Sequence, residues 1–509
     1  MPVEHRLAPQ VVFLLADTGR TEDAVVLASA LRGLDVDREL DREATPAQVR
    51  QVADVIGARI WLECLIGIGD EVAVRAARTL LTADVVGLDP RRRAHLRFLV
   101  AAALVSGPRG GDPEVLREAG ELLDAVRTQG SILGYLPLEA AALSRLALLH
   151  VPTGDLESAR RLAGAALSRA GEAASPTYWS FVAQAVDQWA RYFQGLPTDP
   201  EVMAEVERSL PRYPFDSAAT IVAGTVVALG HMQTGAMSQA RSWFNGLLGE
   251  RDFSGRGIWR LFPLVADAYL AVASGDQLRA REREEDLMRG GAPGEALLVR
   301  AVRLAEAGDG RDALLAVQSV TARLVRSTGL THPVACALEA MLLERGGHHL
   351  RADQVLRQAL GASEPYAARR VFAAHDPAVM ATLLRRAVAA RPGNPWVQEV
   401  LAYVEAEAAR TDPPQRIELT SPEPEVAGPP GEPDRFVEVP VQPSPLTVRE
   451  EQVLALVNGG ASQAQVAREL FVSLNTVKTH LRSIRHKLGA ERTAEAAAVA
   501  RGSGWLSAR

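Results

Sequence analysis

Apolar residues recur every three or four positions through the first four fifths of the chain. From the N-terminus to about Ala409, alanine and leucine follow this helical spacing, and glycine or proline marks short gaps between segments. Runs that alternate strictly between apolar and polar residues, as half-buried strands do, are scarce. The pattern therefore predicts an all-α body over residues 1–410.

A glycine followed five residues later by an alanine recurs within this body. Small residues at these positions let two antiparallel helices approach closely at a short turn. The glycines at 275, 308 and 347 lie 33 and 39 residues apart, within the range of helix-pair repeats. The signal favours a helical-repeat solenoid, with an irregular helical bundle as the alternative. The pairs are Gly19 and Ala24, Gly154 and Ala159, Gly235 and Ala240, Gly275 and Ala280, Gly308 and Ala313, and Gly347 and Ala352.

A different helix, from Ser473 to Leu488, is apolar on one side and basic on the other. It contains no Asp or Glu, and it holds both lysines of the chain, Lys478 and Lys487. A charged face of this kind is most often a solvated surface. The neighbouring sequence is therefore needed to distinguish a solvated face from a binding face. The apolar stripe consists of Val477, Leu481, Ile484 and Leu488, and the other faces carry Asn475, Lys478, Thr479, Arg482, Arg485 and His486.

Three further short helices are predicted around the basic one. Capping boxes at Thr447–Glu450 and Ser462–Gln465 begin the two preceding helices, and an alanine-rich helix follows at Thr493–Ala500. Ser473 is placed to cap the basic helix, and Gly489 ends it. Two short helices joined by about three residues, the second one cationic, have the outline of a helix-turn-helix.

These residues resemble the LuxR-type helix-turn-helix, in an ordered match from about Ser444 to Trp505. The resemblance rests on Leu446 to Glu450, Val453–Leu454, Gly460, Val466–Ala467, Leu470, Val472–Ser473, Thr476 to Lys478, His480, Ile484, Lys487 to Gly489 and Arg492–Thr493.

The resemblance implies a four-helix DNA-binding domain of transcription regulators over residues 444–509. It implies that Lys478, Thr479 and Arg482 face base edges in the major groove, and that the last helix mediates dimer contacts on an inverted repeat. His480 fits a packing role at the edge of the apolar stripe equally well. Lys487 fits equally well as an edge residue that lays its aliphatic stem on the stripe and keeps its amine in solvent. The complete set of predicted DNA-binding residues is Ser473, Asn475, Thr476, Lys478, Thr479, His480, Arg482, Arg485 and Lys487.

The body is similar to tetratricopeptide-like repeats, best seen in GGHHLRADQVLRQAL around Gly347, although the aromatic signature of the first helix is mostly missing. Between body and basic module, the stretch from Thr411 to Pro445 holds ten of the thirty prolines and seven acidic residues against two arginines. Because proline fixes φ and removes a donor, we expect an extended, acidic linker at 411–443.

Charge is divided unevenly along the chain. Residues 444–509 hold nine Lys or Arg and five Glu, a net charge of +4. Because the whole chain has a net charge of −6, residues 1–443 carry −10. This asymmetry favours a basic C-terminal module that binds phosphate groups, attached to a larger acidic body that phosphate groups repel.

Catalytic and cofactor motifs are missing from the sequence. A P-loop, a receiver domain of the usual kind and Schiff-base chemistry each require a lysine, and none precedes Lys478. Cys64 and Cys336 are too far apart for a disulfide framework and are expected to be small buried residues in a reducing compartment. No membrane span or signal peptide is evident, so we expect a cytoplasmic protein that is not an enzyme and needs no cofactor.

Aromatic residues cluster in one segment of the body. Spacing of this kind more often belongs to a core than to a pocket, yet the cluster is the densest candidate for a ligand-lining surface. It consists of Tyr178, Trp179, Phe181, Trp189, Tyr192 and Phe193.

The sequence therefore predicts a DNA-binding transcriptional regulator whose helical array senses a small-molecule ligand or a protein partner. A protein-interaction scaffold, with its basic module docked on an acidic partner, is the alternative of a different class.

Overall fold

The computed structural model describes residues 49–50, 52–57, 60, 71–82, 88–106, 112–172, 178–212, 217–249 and 257–410, and eleven positions between 453 and 490. The chain divides into two units, Met1–Ile417 and Glu418–Arg509. The division falls inside the predicted linker, whose own residues lie outside the described ones, as do Gly19, Ala24 and Cys64. The domain limits at 410 and 444 stay predictions.

The described part of the first unit is built from helices, with no strand in it. Short 3-10 segments occur at Leu210–Arg212, Gly257–Arg260, Glu364–Tyr366 and Arg369–Phe372. The α-helices are α1 (Glu71–Thr82), α2 (Pro90–Ser106), α3 (Pro113–Ile132), α4 (Leu136–Thr153), α5 (Leu156–Glu172), α6 (Tyr178–Gln194), α7 (Pro200–Ser209), α8 (Ser217–Gln233), α9 (Met237–Gly249), α10 (Leu261–Ala273), α11 (Gln277–Arg289), α12 (Pro293–Glu306), α13 (Gly310–Thr321), α14 (Thr331–Arg345), α15 (His349–Ser363), α16 (Pro377–Ala390) and α17 (Pro395–Arg410).

The helices form two layers of a solenoid. Each helix packs on the next one in sequence, and from α4 to α16 each even-numbered helix also packs on the next even-numbered helix. The even-numbered helices are therefore covered on several sides, and α4 is buried almost continuously from Leu138 to Leu149. The odd-numbered helices bury one stripe only, as α5 does with its alanines at 159, 163, 166 and 170. This arrangement confirms the predicted all-α solenoid.

The recurring glycine and alanine mark the turns within helix pairs, as the sequence indicated. Gly308, for example, has φ +85°, a left-handed conformation that glycine adopts without a steric cost. The N–H of Asp309 then donates to the carbonyl of Leu304, which closes the C-terminus of α12. Ala313 is fully buried one turn into α13, so the second helix can pack closely on the first. The same left-handed glycine and buried alanine occur at Gly154 and Ala159, Gly235 and Ala240, Gly275 and Ala280, and Gly347 and Ala352.

The solenoid curls until helices far apart in sequence meet. The N–H of Gly329 donates to the carbonyl of Pro152 at 3.2 Å, and a Cβ on Gly329 would overlap the Thr153 carbonyl. A second contact lies nearby, where the guanidinium of Arg369 donates to the Gln194 carbonyl at 3.0 Å. These bonds join α4 and α6 to the segment from Thr328 to Phe372. The even-numbered helices, which form the inner layer, enclose a cavity between them.

Among the residues that the structure describes, no helix is long and apolar enough to cross a bilayer.

Candidate nucleic-acid interface and ligand cavity

The second unit has a small apolar core at the positions predicted from helical spacing. Val477, Leu481 and Ile484 are helical and buried, and Leu488 is half-buried, so the apolar stripe of the basic helix packs inward as expected. The two preceding predicted helices supply Val453–Leu454 and Val466, which are fully buried. Residues of three predicted helices are thus buried at the positions expected of an apolar core.

Two predicted DNA-binding residues, Arg485 and Lys487, belong to the described part of this helix. At 3.6 residues per turn they lie roughly 80° to either side of Val477. Arg485 is half-buried, and its Nε donates to the carbonyl of Leu481 at 3.2 Å. Lys487 is exposed. Both therefore flank the apolar stripe, with Arg485 held against its own helix and Lys487 reaching outward.

The C-terminus of the basic helix closes in a recognisable way. The N–H of Ala490 donates to the carbonyl of Arg485 at 2.9 Å, which is the 6→1 bond of a Schellman motif. This bond agrees with the predicted end of the helix.

The remaining predicted site residues lie outside the described ones: Ser473, Asn475, Thr476, Lys478, Thr479, His480 and Arg482. Their DNA-binding roles stay predictions.

In the first unit, the inner helices surround a partly enclosed cavity of about 340 Å³. This volume is within the usual range for small-molecule sites, and most of the lining side chains are aliphatic or aromatic. The walls come from α4, α6, α8, α10, α12 and α14, and from the 3-10 segment at Arg369–Phe372. The cavity thus lies where the curled array brings its early and late helices together.

The aromatic cluster predicted from sequence divides between core and cavity. Trp179 and Phe181 are buried core residues, and the Trp179 ring meets Phe98 edge to face at 5.0 Å. Trp189, Tyr192 and Phe193 instead line the cavity. Trp189 and Tyr192 are buried as well, so the core interpretation holds for both ends of α6, and a ligand-lining role for the cavity end stays a prediction. The side chain of Tyr178 lies outside the described ones.

The cavity side of α6 carries a continuous set of ring contacts. Trp189 packs on Phe193 at 4.9 Å between ring centroids and meets Phe262 of α10 edge to face at 5.1 Å. Tyr192 meets Phe193 at 5.1 Å. Offset and edge-to-face rings make a rigid apolar wall suited to a flat ligand.

A buried carboxylate lines another part of the cavity. Glu295, in the first turn of α12, is 2% exposed, and its Oε1 accepts from the Thr328 N–H at 2.6 Å and the Thr331 hydroxyl at 2.9 Å. A buried charge needs such partners, because desolvation costs several kcal/mol per ion. The two bonds fix Glu295 at the base of α14.

Arg370 is the cationic residue of the lining. Its guanidinium lies over the ring of Tyr192, 4.0 Å from the centroid, and donates to the hydroxyl of Tyr403 at 3.4 Å. With its amide oxygen turned toward this group, Gln233 accepts from Arg370 at 2.5 Å. Protein groups therefore already bind the arginine.

Two hydrogen-bond donors of residues in the cavity lining differ from Arg370, because they have no protein partner. Within the stretches that the structure describes, neither the indole Nε1 of Trp189 nor the hydroxyl of Tyr269 has a hydrogen-bond partner, although water does not reach either atom. Burial raises the pKa of the Tyr269 hydroxyl, so the group stays protonated. An unpaired buried donor costs about 1–3 kcal/mol. Both donors are therefore unpaired and are also closed off from the cavity by their own surroundings.

His375 packs beside this lining, with its ring 5.8 Å from that of Tyr269. Burial, aided by Arg345, lowers the pKa of His375 to about 4. The imidazole is therefore neutral at pH 7.

Sequence reasoning missed the polar half of the cavity, Glu295, Tyr269 and Arg370. A weak signal exists for Glu295, an acid beside the apolar run Ala296–Val299 at the start of a helix. Nothing in the local sequence distinguishes Arg370, because its partners come from α6, α8 and α17.

Within the described ranges, no three His, Cys, Asp or Glu side chains converge as a metal site. Cys336 is buried, as expected of a small apolar residue.

The helical array and the basic helical module together define a helical-repeat protein with a C-terminal helix-turn-helix. Residues 444–500 match the family model described as bacterial regulatory proteins, luxR family, so this segment is a LuxR-family helix-turn-helix domain.

Two curated relatives match a short stretch of the chain. The regulators described as HTH-type transcriptional regulator MalT from Yersinia pestis (strain Pestoides F) and from Serratia proteamaculans (strain 568) are each 48% identical over 56 residues. The match covers 11% of this chain and 6% of either relative.

A solved structure described as a circular tandem repeat protein with novel repeat topology and enhanced subunit contact surfaces matches 80% of this chain and 95% of its own. Sequence identity is 16% and the TM-score is 0.17. The architecture given above therefore rests on the contacts of this chain itself.

Proposed function

We propose that the chain is a DNA-binding transcriptional regulator that acts in the cytoplasm and catalyses no reaction. In this proposal the basic helix from Ser473 to Leu488 enters the major groove of operator DNA, and the helical array senses a small-molecule ligand or a protein partner. The observation that carries the proposal is the buried stripe of Val477, Leu481 and Ile484 inside a LuxR-family domain. A helix anchored on that side presents its basic faces outward.

The predicted residues divide into two roles on DNA. Lys478, Thr479 and Arg482 read base edges, since a basic side chain can bond guanine in the major groove. Thr476, Arg485 and Lys487 hold phosphates, while Ser473, Asn475 and His480 shape the start of the helix and its flank. The exposed position of Lys487 supports a phosphate contact. Two copies pair through the last helix on an inverted repeat.

The test is selection of bound fragments from genomic DNA with the full-length protein, followed by footprinting. We expect footprinting to show a discrete protected site. A duplex that carries this site should compete for the protein far better than a scrambled duplex of equal composition. Equal binding to both duplexes would instead favour the scaffold alternative, in which the basic module docks on an acidic protein.

Salt dependence tests the phosphate contacts separately. The logarithm of affinity should fall linearly with the logarithm of salt concentration, with a slope of several units. Lys487→Gln should reduce that slope by about one, equally on specific and scrambled DNA. An unchanged slope would remove Lys487 from the interface.

A further inference from the structure

We infer that the cavity between the even-numbered helices is the effector site of this protein, and that the effector is an apolar amine whose ammonium group pairs with Glu295. This inference rests on the proposed function, because it assigns the sensing role of the helical array to one site. It deepens that function by giving the ligand a chemical class, an apolar body with one positive charge.

One oxygen of the Glu295 carboxylate is left for a ligand. The residue lines the cavity and is only 2% exposed, and its Oε1 accepts from the Thr328 N–H and the Thr331 hydroxyl. Among the residues that the structure describes, no group donates to Oε2 and no cationic side chain forms an ion pair with Glu295. Unlike the donors of Trp189 and Tyr269, Oε2 is not closed off from water. Because Glu295 is otherwise buried, this oxygen opens into the cavity.

The positive charge of the ligand follows from this open oxygen. A carboxylate oxygen in a buried position is costly to keep without a partner. Glu295 lies in the first turn of α12, where the positive end of the helix dipole stabilises negative charge. An ammonium group donates charge-assisted hydrogen bonds to a carboxylate, and these are stronger than neutral ones. A positively charged nitrogen is therefore the ligand group that Glu295 binds most strongly.

The apolar body of the ligand follows from the side chains that remain accessible in the cavity. Phe193, Met232, Phe262, Leu330 and Val334 line it and are each half-buried, so part of each side chain faces open space. Aromatic faces also attract cations, which adds to the pairing with the carboxylate. The volume of about 340 Å³ suits a small molecule rather than a folded peptide segment.

Arg370, the cation of the lining, is bound by a different set of residues. Its guanidinium contacts Tyr192 of α6, Gln233 of α8 and Tyr403 of α17. The partners of Glu295 come from the turn Thr328–Thr331 instead. An amine on Glu295 therefore displaces no partner of the arginine.

The position of Glu295 connects the ligand to a contact between early and late helices. Thr328 and Thr331, which bind the carboxylate, flank Gly329, whose N–H donates to the Pro152 carbonyl at 3.2 Å. The lining includes residues of α4 and α6 as well as residues of α12 and α14. A ligand that contacts both sets of helices binds best when they are together, so it shifts the array toward that arrangement.

The experiment uses three probes that share a naphthalene ring and differ in charge. 2-(1-Naphthyl)ethylamine is a cation at neutral pH, 1-ethylnaphthalene is neutral, and 1-naphthylacetate is an anion. Equilibrium dialysis with full-length protein gives the Kd and the number of sites for each probe. Glu295→Gln removes the charge and keeps both the size of the side chain and an Oε1 acceptor. The matched control is Glu339→Gln, which changes another buried glutamate outside the lining.

We expect the amine to bind at one site per chain, with a Kd at least about 10-fold lower than that of the anion. Glu295→Gln should raise the Kd of the amine by about 10- to 100-fold, because a hydrogen bond between charged groups is lost. The Kd of 1-ethylnaphthalene should change by less than about 3-fold, since this probe has no group that pairs with the carboxylate. Glu339→Gln should leave all three Kd values unchanged.

The inference is overturned if the amine has no saturable site or binds no more tightly than the anion. It is also overturned if Glu295→Gln weakens the amine and 1-ethylnaphthalene equally. If Glu295→Gln lacks a cooperative unfolding transition, the ranking of the three probes on the wild-type protein decides the question alone.

DNA binding by the same preparations tests the regulatory role and keeps the two proposals apart. Saturating amine should change the Kd for a selected genomic site by at least about 5-fold in the wild type and not in Glu295→Gln. Unchanged affinity in the wild type rejects the regulatory role of the cavity. Specific DNA binding without saturable amine binding rejects the effector site alone, whereas failure to distinguish a selected site from scrambled DNA rejects the proposed function.

Discussion

The guanidinium of Arg370 lies over the ring of Tyr192, 4.0 Å from its centroid, although 178 positions separate the two residues in the sequence. This contact and the bond from Arg369 to the Gln194 carbonyl join the end of α6 to the late helices. Most other contacts of the solenoid are between sequence neighbours, so these two belong to the few that connect its early helices to its late ones.

Replacing Arg370 with methionine should lower the free energy of unfolding by about 1–2 kcal/mol, since the cation-π contact and the bond to Tyr403 are lost while an aliphatic chain remains. Urea unfolding followed by tryptophan fluorescence measures the change. The control is Arg351→Met at an exposed position of α15, where we expect less than about 0.5 kcal/mol. Equal effects of the two substitutions would show that the Arg370 contact contributes nothing to stability.

Two glycines with open space around them should respond in opposite directions to alanine. At Gly308, φ is +85° and no atom lies within 4 Å of the position that a Cβ would occupy, so Gly308→Ala should cost about 1 kcal/mol through backbone strain alone. Gly361 lies inside α15 with similar space and no positive φ, so Gly361→Ala should stabilise by up to about 1 kcal/mol. Thermal unfolding of the pair provides the measurement, and a shift in the same direction for both would refute the assigned turn geometry.

His375 should make stability depend on pH. Burial, with a smaller contribution from Arg345, lowers its pKa from 6.5 to about 4. Between these values the unfolded chain binds a proton that the folded protein does not, so stability is complete above pH 6.5 and falls as the pH drops toward 4. The loss from this group is at most about 3 kcal/mol.

Comparison of wild type with His375→Phe in urea unfolding from about pH 8 to about pH 4 isolates that contribution. The variant should lose less stability over the interval, and the difference at the alkaline end reports packing alone. Parallel pH curves for the two proteins would mean that His375 titrates alike in the folded and unfolded chains.

Much of the body could be predicted because its determinants are local. Helical spacing of apolar residues indicated the all-α class, and the glycine and alanine pairs marked turns such as those at Gly154 and Gly347, because the left-handed residue and the small packing residue both belong to the same turn. The stripe of Val477, Leu481 and Ile484 followed from the same spacing.

The curl and the cavity could not be predicted, because each depends on a small rotation between successive helix pairs that no local pattern encodes. Gly329 has the sequence context of an ordinary loop glycine, yet its backbone meets that of Pro152. Tyr269 and Glu295 lie on apolar helices whose inward faces were recognisable, but which part of those faces would remain uncovered depends on the curvature.

The proposed function depends on whether the basic helix recognises a DNA sequence. Fluorescence anisotropy with full-length protein on a selected genomic site answers this question, using Lys478→Ala and Arg482→Ala with Arg351→Ala as the control. We expect each of the first two to weaken specific binding by about 1–3 kcal/mol and to relax preference for the site over a scrambled duplex, while the control binds as the wild type does. Wild-type affinity in both Lys478→Ala and Arg482→Ala would show that this helix does not read the site.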